Sequence, residues 1–323
     1  MQQTIAETAP FTATRRRRSG VVGDAVFASF ARASGVFVLL LLGSLIASLF
    51  IGGLPAFRAF GASFLVSAAW NPVAQVFGGA VAIYGTVVTS VLALILAVPL
   101  AFGIAFTLTE ILPGWVRGPI GTAIELLAAI PSIIYGMWGF FVIVPVMAEK
   151  VQPWVIDALG DLPVIGDLFQ GPPFGTGIAT AALILAIMVI PFIAATMRDV
   201  FLTVPAVYKE SAYGLGCTTW EVMRSIVLPY TRASVIGGIM LGLGRALGET
   251  MAVTFVIGNT NRISQSLFGP GNTIASVVAL EFPESPAGSL KLASLLALGF
   301  ILFVISFIVL AISRLLLRPA LRT

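Results

Sequence analysis

Arg245 and Glu249 stand four residues apart in an apolar stretch that reads GGIMLGLGRALGETMAVTFVIGN. On one continuous helix the two side chains would share a face. A planar guanidinium donates two parallel hydrogen bonds to a tetrahedral oxyanion and stays charged at any biological pH. A carboxylate one turn on would hold that fork in place and keep affinity modest, as release requires. The expectation is that Arg245 contacts an anion in transit and that Glu249 positions it. The competing reading is an internal salt bridge that staples helices together. Gly238 and Gly242 repeat at the same spacing, as do Gly244 and Gly248, and such spacing lets helices approach closely. Glu125 opens a second apolar run, ELLAAIPSIIYGMWGFF. It is a secondary candidate, and the interfacial reading competes with the functional one there.

These residues sit in a chain built for a bilayer. Of its 323 residues, 58% are hydrophobic and only 10% charged, whereas a soluble domain carries roughly 25% charged residues. The polar groups are too few to cover the surface, so the solvent for much of the chain is lipid. There is one cysteine, Cys217, and no histidine. A disulfide framework and a cysteine-cluster metal site are therefore excluded. The usual general base and the commonest zinc ligand are missing too. Neither a catalytic constellation nor a metal site is expected.

The expected fold is all-α, a polytopic bundle of six transmembrane helices. The spans are read at about 35–53, 80–108, 120–147, 177–197, 233–257 and 290–313, each long enough to cross about 30 Å of hydrocarbon. The first is read as a retained signal anchor, because its apolar run exceeds that of a cleaved signal. Pro99, Pro131, Pro145 and Pro191 fall inside spans. Internal prolines are tolerated where neighbouring helices or cavity waters satisfy the freed backbone, so they mark either packing kinks or a wet path. The organisation expected is a disordered basic tail at 1–30, the first helix at 31–58, a periplasmic loop at 59–78, the main transmembrane domain at 79–317, and a cytoplasmic tail at 318–323.

Lys and Arg set the orientation. With the N-terminus cytoplasmic, the inside holds Arg15 to Arg18, Arg32, Arg117, Arg198, Lys209, Arg224, Arg232, Arg314, Arg318 and Arg322. The outside holds only Arg58, Lys150, Arg262 and Lys291. The positive-inside rule selects this arrangement, with both termini cytoplasmic. The basic tail is suited to anionic lipid, and no nucleic-acid partner is implied. The outside loops at 148–176 and 259–289 read as solvated segments or docking sites for an external partner, with a short interfacial helix expected at 155–169.

The inside loop at 198–232 contains YKESAYGLGCTTWEVMRSIVLPY. Its mixed charged and apolar residues, broken at Gly214 and Gly216, predict two short helices. The segment resembles the EAA motif of ABC importer permeases. Glu210, Ser211 and Ala212 fill its first three places, Gly216 its glycine, and Ile226, Leu228 and Pro229 its end. Ser211 for alanine is the one departure, and both are small. The resemblance implies that this hairpin seats in a cleft on a cytoplasmic ATPase. No G-x-x-x-x-G-K-[ST] pattern occurs in the chain, so no cofactor is expected here. ATP and Mg would be held by a partner ATPase.

The stretches IYGTVVTS at 83–90, ELLAAIPSIIYGMWG at 125–139 and GLGRALGETMAVTF at 242–255 are similar to the PstC-type permease family of phosphate ABC importers. That resemblance implies a type I importer permease fold in a bacterial inner membrane. It also implies a second permease of PstA type, two PstB-type ATPases and an external PstS-type phosphate-binding protein. The alternatives are a permease for another oxyanion, such as molybdate or sulfate, and an ion-coupled secondary transporter. The EAA segment and the lack of an internal repeat speak against the latter.

Overall fold

The computed structural model describes residues 20–163 and 166–317. Six helices in it are long and apolar enough to cross a membrane: Gly23–Phe60, Ala80–Ile111, Ser132–Leu159, Ile178–Leu202, Thr219–Leu247 and Leu290–Leu315. The protein is a multi-pass membrane protein. Among the described residues the only strands are a two-residue antiparallel pair, β1 (Trp70–Asn71) and β2 (Val76–Phe77).

Helix α1 runs from Gly20 to Phe60 without interruption. Residues 20–30, expected as part of a disordered tail, are therefore helical, because nothing between Gly20 and the apolar run breaks the backbone pattern. The basic run Arg15 to Arg18 lies outside the described residues. The chain divides into two compact units after Ser48, and the site lies in the second. Within that unit the end of α1 packs against α14 (Leu290–Leu317) at Gly53, where a Cβ would come within 2.9 Å of Ala297 Cα. The loop at 59–78 holds a short helix, α2 (Ser63–Val66), and the β1–β2 hairpin.

The core of the bundle is α3 (Ala80–Phe106) against α8 (Ile178–Leu202). Ala93, Ala97, Ala101 and Ala105 repeat every four residues and are fully buried. That spacing places four methyl groups on one face, so α8 can lie close with Ala181, Leu185, Met188 and Ile193 interleaved. Small-residue stripes of this kind hold helices together in lipid, where burial from water supplies no drive. A π turn, Thr107–Ile111, ends α3.

The third span is displaced from its expected place. The chain first forms a separate helix, α4 (Gly114–Ala128), and breaks at Pro131. It then runs continuously through α5 (Ser132–Trp138), a π turn, α6 (Val144–Val146), a second π turn and α7 (Gln152–Leu159). The residue before a proline is pushed out of helical geometry, which ends α4 ahead of the apolar run. Helix α7 takes the start of the interfacial helix expected at 155–169, and a single 3-10 turn at Gly166–Leu168 takes its end.

Beyond α8 the chain forms α9 (Ala206–Gly214), α10 (Thr219–Val222), a π turn and α11 (Leu228–Leu247). Only α9 is a short free-standing helix. The second expected short helix is continuous with the fifth span. That span ends at Leu247, and α12 (Met251–Val256) follows after a break at 248–250. The loop expected at 259–289 is not simply solvated. Its helix α13 (Ile274–Glu281) buries Ile274, Ser276 and Val277 against α3 and α14, and Ile274 N donates to Thr86 Oγ1 at 2.9 Å.

Candidate functional site

The break after Leu247 changes the geometry of the central pair. Arg245 is in the last turn of α11, whereas Glu249 lies in the non-helical link before α12. They do not share a helix face, and neither forms an ion pair among the described residues. The guanidinium sits 5.6 Å from the Phe192 ring centroid, a cation–π arrangement. Arg245 Nη2 also lies 3.5 Å from the carbonyl of Ala128, at the end of α4. Glu249 instead turns toward the next helix, where its Oε1 accepts from Ala252 N at 3.2 Å. The carboxylate thus satisfies one of the free N–H groups that open α12. The expectation that Glu249 positions Arg245 through a shared face gives way to two separate jobs.

The glycines of this stretch also divide by task. A Cβ at Gly238 would meet Thr196, and one at Gly242 would meet Ile193 and Val189, so these two let α11 approach α8. A Cβ at Gly244 would meet nothing within 4 Å. Gly136 on α5 lets α12 come close, with Ala252 Cα 2.9 Å from where its Cβ would be. The Arg245 region is therefore framed by α4, α5, α8 and α12.

Glu125 lies outside the third span, on α4. Its carboxylate is half exposed and takes a 2.6 Å ion pair from Arg198 Nη2, which also reaches Asp199 Oδ1 at 2.7 Å. A side chain at Gly121 would collide with that guanidinium. Glu125 is thus a tie between α4 and α8.

The Glu210–Pro229 segment forms a helical hairpin. Glu210 and Ser211 are exposed on α9, while Ala212 is buried in the main core. Ser211 Oγ folds back onto the carbonyl of Val207 at 2.7 Å. Gly216 has φ +89°, a left-handed angle that favours glycine. Thr218 and Glu221 close a capping box that starts α10. Ile226 and Leu228 pack against the core, and Pro229 directly follows the π turn Met223–Val227 within the helical run that continues to Leu247. Tyr208, Leu215 and Trp220 are exposed around the hairpin.

A pair the sequence reading missed joins this hairpin to the bundle. Lys209 Nζ is 2.5 Å from Glu110 Oε1, and both side chains are largely buried. Glu110 lies in the π turn at the end of α3. Arg117 Nη2 donates to the carbonyl of Thr109 in the same turn, at 2.6 Å. The two partners of the ion pair are 99 residues apart, and the legible signal was an acidic residue at the end of an apolar span.

Residues 97–321 match the model of the family described as binding-protein-dependent transport system inner membrane component. A phosphate transport system permease protein PstC of Pasteurella multocida is 58% identical over 294 residues, covering 91% of each chain. The PstC of Mesorhizobium japonicum is 57% identical, covering 90% of this chain and 89% of its own. The chain belongs to the PstC permease family. It is thus a transporter subunit of the binding-protein-dependent class. More distant PstC permeases extend to Methanocaldococcus jannaschii, at 34% identity over 85% of this chain and 86% of that one.

Solved structures give the same fold at low identity. A bacterial alginate ABC transporter chain aligns with a TM-score of 0.59 at 15% identity, over 92% of this chain and 96% of that one. A chain of the inward-facing MetNI methionine ABC transporter aligns with a TM-score of 0.56 at 13% identity, over 74% and 94%. The fold of this PstC-family chain is that of an ABC importer permease.

Proposed function

We propose that this chain is the permease subunit through which inorganic phosphate is imported at the expense of ATP. The observation that carries the reading is Arg245. It is a cation within a predominantly apolar helix bundle that has no carboxylate partner among the described residues. A half-buried charge in such surroundings is costly unless a ligand, water or partner offsets it, and a guanidinium fits a tetrahedral oxyanion. Phosphate as the anion follows from the names of the PstC relatives.

On this reading both termini are cytoplasmic, as the Lys and Arg distribution favours. The segment Glu210, Ser211, Ala212, Gly216, Ile226, Leu228 and Pro229 seats on a separate ATPase that holds ATP and Mg. The exposed Glu210 and Ser211 beside a fixed turn at Gly216 support that role. A second permease of PstA type, two PstB-type ATPases and a PstS-type binding protein complete the transporter. Glu249 serves the path by fixing the start of α12 beside Arg245.

The test is uptake of labelled phosphate into proteoliposomes holding the complete transporter. Arg245→Gln is expected to lower uptake by roughly tenfold or more, the worth of a charged hydrogen bond of about 1.5 kcal/mol. Molybdate and sulfate are expected not to compete. Full uptake by the Gln variant would overturn the recognition role, and competition by either anion would reassign the substrate. Anion flux through this chain alone would favour the secondary-transporter reading.

A further inference from the structure

The end of α3 holds both helices of the Glu210–Pro229 hairpin. Trp220, at the start of α10, stands edge-on to Phe106 at 5.7 Å and to Phe102 at 6.4 Å. Lys209, on α9, is bonded to Glu110 at 2.5 Å, with side-chain exposures of 16% and 6%. The first contact is apolar and can slide. The second is a buried ion pair, and a buried charge that loses its partner is strongly destabilised. It therefore constrains its two elements to move together.

The acceptor side of this pair is held firmly at the end of α3. Glu110 lies in the π turn Thr107–Ile111 that ends α3. Arg117 steadies that turn from α4 by donating to the Thr109 carbonyl at 2.6 Å and the Leu112 carbonyl at 3.3 Å. From there α3 runs the depth of the bundle along α8. At its other end Thr86 accepts from Ile274 N, and Gly85 lies against the carbonyl of Asn272. A single helix thus connects the hairpin with the segment around α13.

We propose that the Lys209–Glu110 ion pair is the positioning contact that transmits hairpin movement into α3, and so links ATP hydrolysis to opening of the anion path. This inference rests on the importer reading above. In it Lys209 and Glu110 touch neither nucleotide nor anion. They act by making α9 and α3 a single moving part.

The experiment uses the complete transporter in proteoliposomes, with labelled phosphate uptake and ATP hydrolysis measured on one preparation. Lys209→Met, Glu110→Gln, the neutral pair carrying both changes, and the charge-swapped pair Lys209→Glu with Glu110→Lys are compared with the wild type. Phosphate moved per ATP is expected to fall by at least roughly tenfold in the singles and the neutral pair, as for loss of a buried charge contact. The swapped pair is expected to recover most of it. A pair that merely stabilises the fold would lower uptake and hydrolysis together and leave their ratio unchanged, and that result overturns the proposal. The neutral pair leaves no lone buried charge, so it decides the matter where the singles do not assemble. Full coupling in the neutral pair also overturns it. Failure of the wild type to take up phosphate at all would instead strike the importer reading.

Discussion

Gly136 is where the structure makes its most quantitative demand. It lies in the interior of α5, buried against α12. A Cβ there would stand 2.9 Å from both Ala252 Cα and Phe255 Cδ2, and 3.1 Å from the Met251 carbonyl oxygen. Carbon atoms rest about 3.5–4.0 Å apart, so Gly136→Val requires α5 and α12 to separate by roughly 0.6–1 Å. Phe255 can rotate, but the Ala252 backbone cannot. Forcing carbon into a packed interface costs about 1–3 kcal/mol, and leaving glycine behind returns about 0.4 kcal/mol of helix propensity. The expected net loss is about 2 kcal/mol, roughly thirtyfold in the folding equilibrium. Gly103 in α3 is the control, because a Cβ there meets nothing within 4 Å. Gly103→Val is expected to be neutral or slightly stabilising. Equilibrium unfolding of the purified permease in mild detergent, titrated with a denaturing detergent and followed by tryptophan fluorescence, measures both. If the two variants unfold within about 0.5 kcal/mol of each other, close approach at Gly136 is not real and the frame around Arg245 is misdrawn.

Two further outcomes follow from the same geometry. Gly216→Ala is expected to cost about 1–2 kcal/mol through its left-handed φ alone, since nothing lies within 4 Å of the added methyl. It should weaken capture of the permease by the purified ATPase, and unchanged capture would show that the turn is not needed there. Glu249→Ala is expected to lose about 1 kcal/mol with the bond to Ala252 N, whereas Glu249→Gln keeps an acceptor and most of that stability. The same unfolding assay reads the difference, and equal losses would remove the capping role.

Much of this architecture was legible in residues alone, because lipid leaves few ways to satisfy a backbone. Six apolar stretches read as six spans, and the repeat of Gly238 and Gly242 read as a packing face, which α8 occupies. The hairpin break was legible at Gly216 because its backbone angle favours glycine. What failed was continuity. Gly248 gave no hint of whether the helix would pass through it, and the chain stops at Leu247, leaving Arg245 and Glu249 on different elements. The third span was placed too early because Ile120 to Ala129 carry a single charge and otherwise read as the start of a span, and only Pro131 decides where α4 ends. The Glu110–Lys209 pair joins segments whose adjacency no local pattern encodes.

The unbroken run from Thr219 to Leu247 has one more consequence. At 1.5 Å per residue, Arg245 stands about 39 Å along the rod from Thr219. A tilt of only about 5° pivoting at the capping box would swing the guanidinium sideways by about 3 Å, the reach of one hydrogen bond. A rotation too small to disturb the packing near its own fulcrum is therefore enough, at the far end, to move the cation from touching to missing the anion we propose it meets.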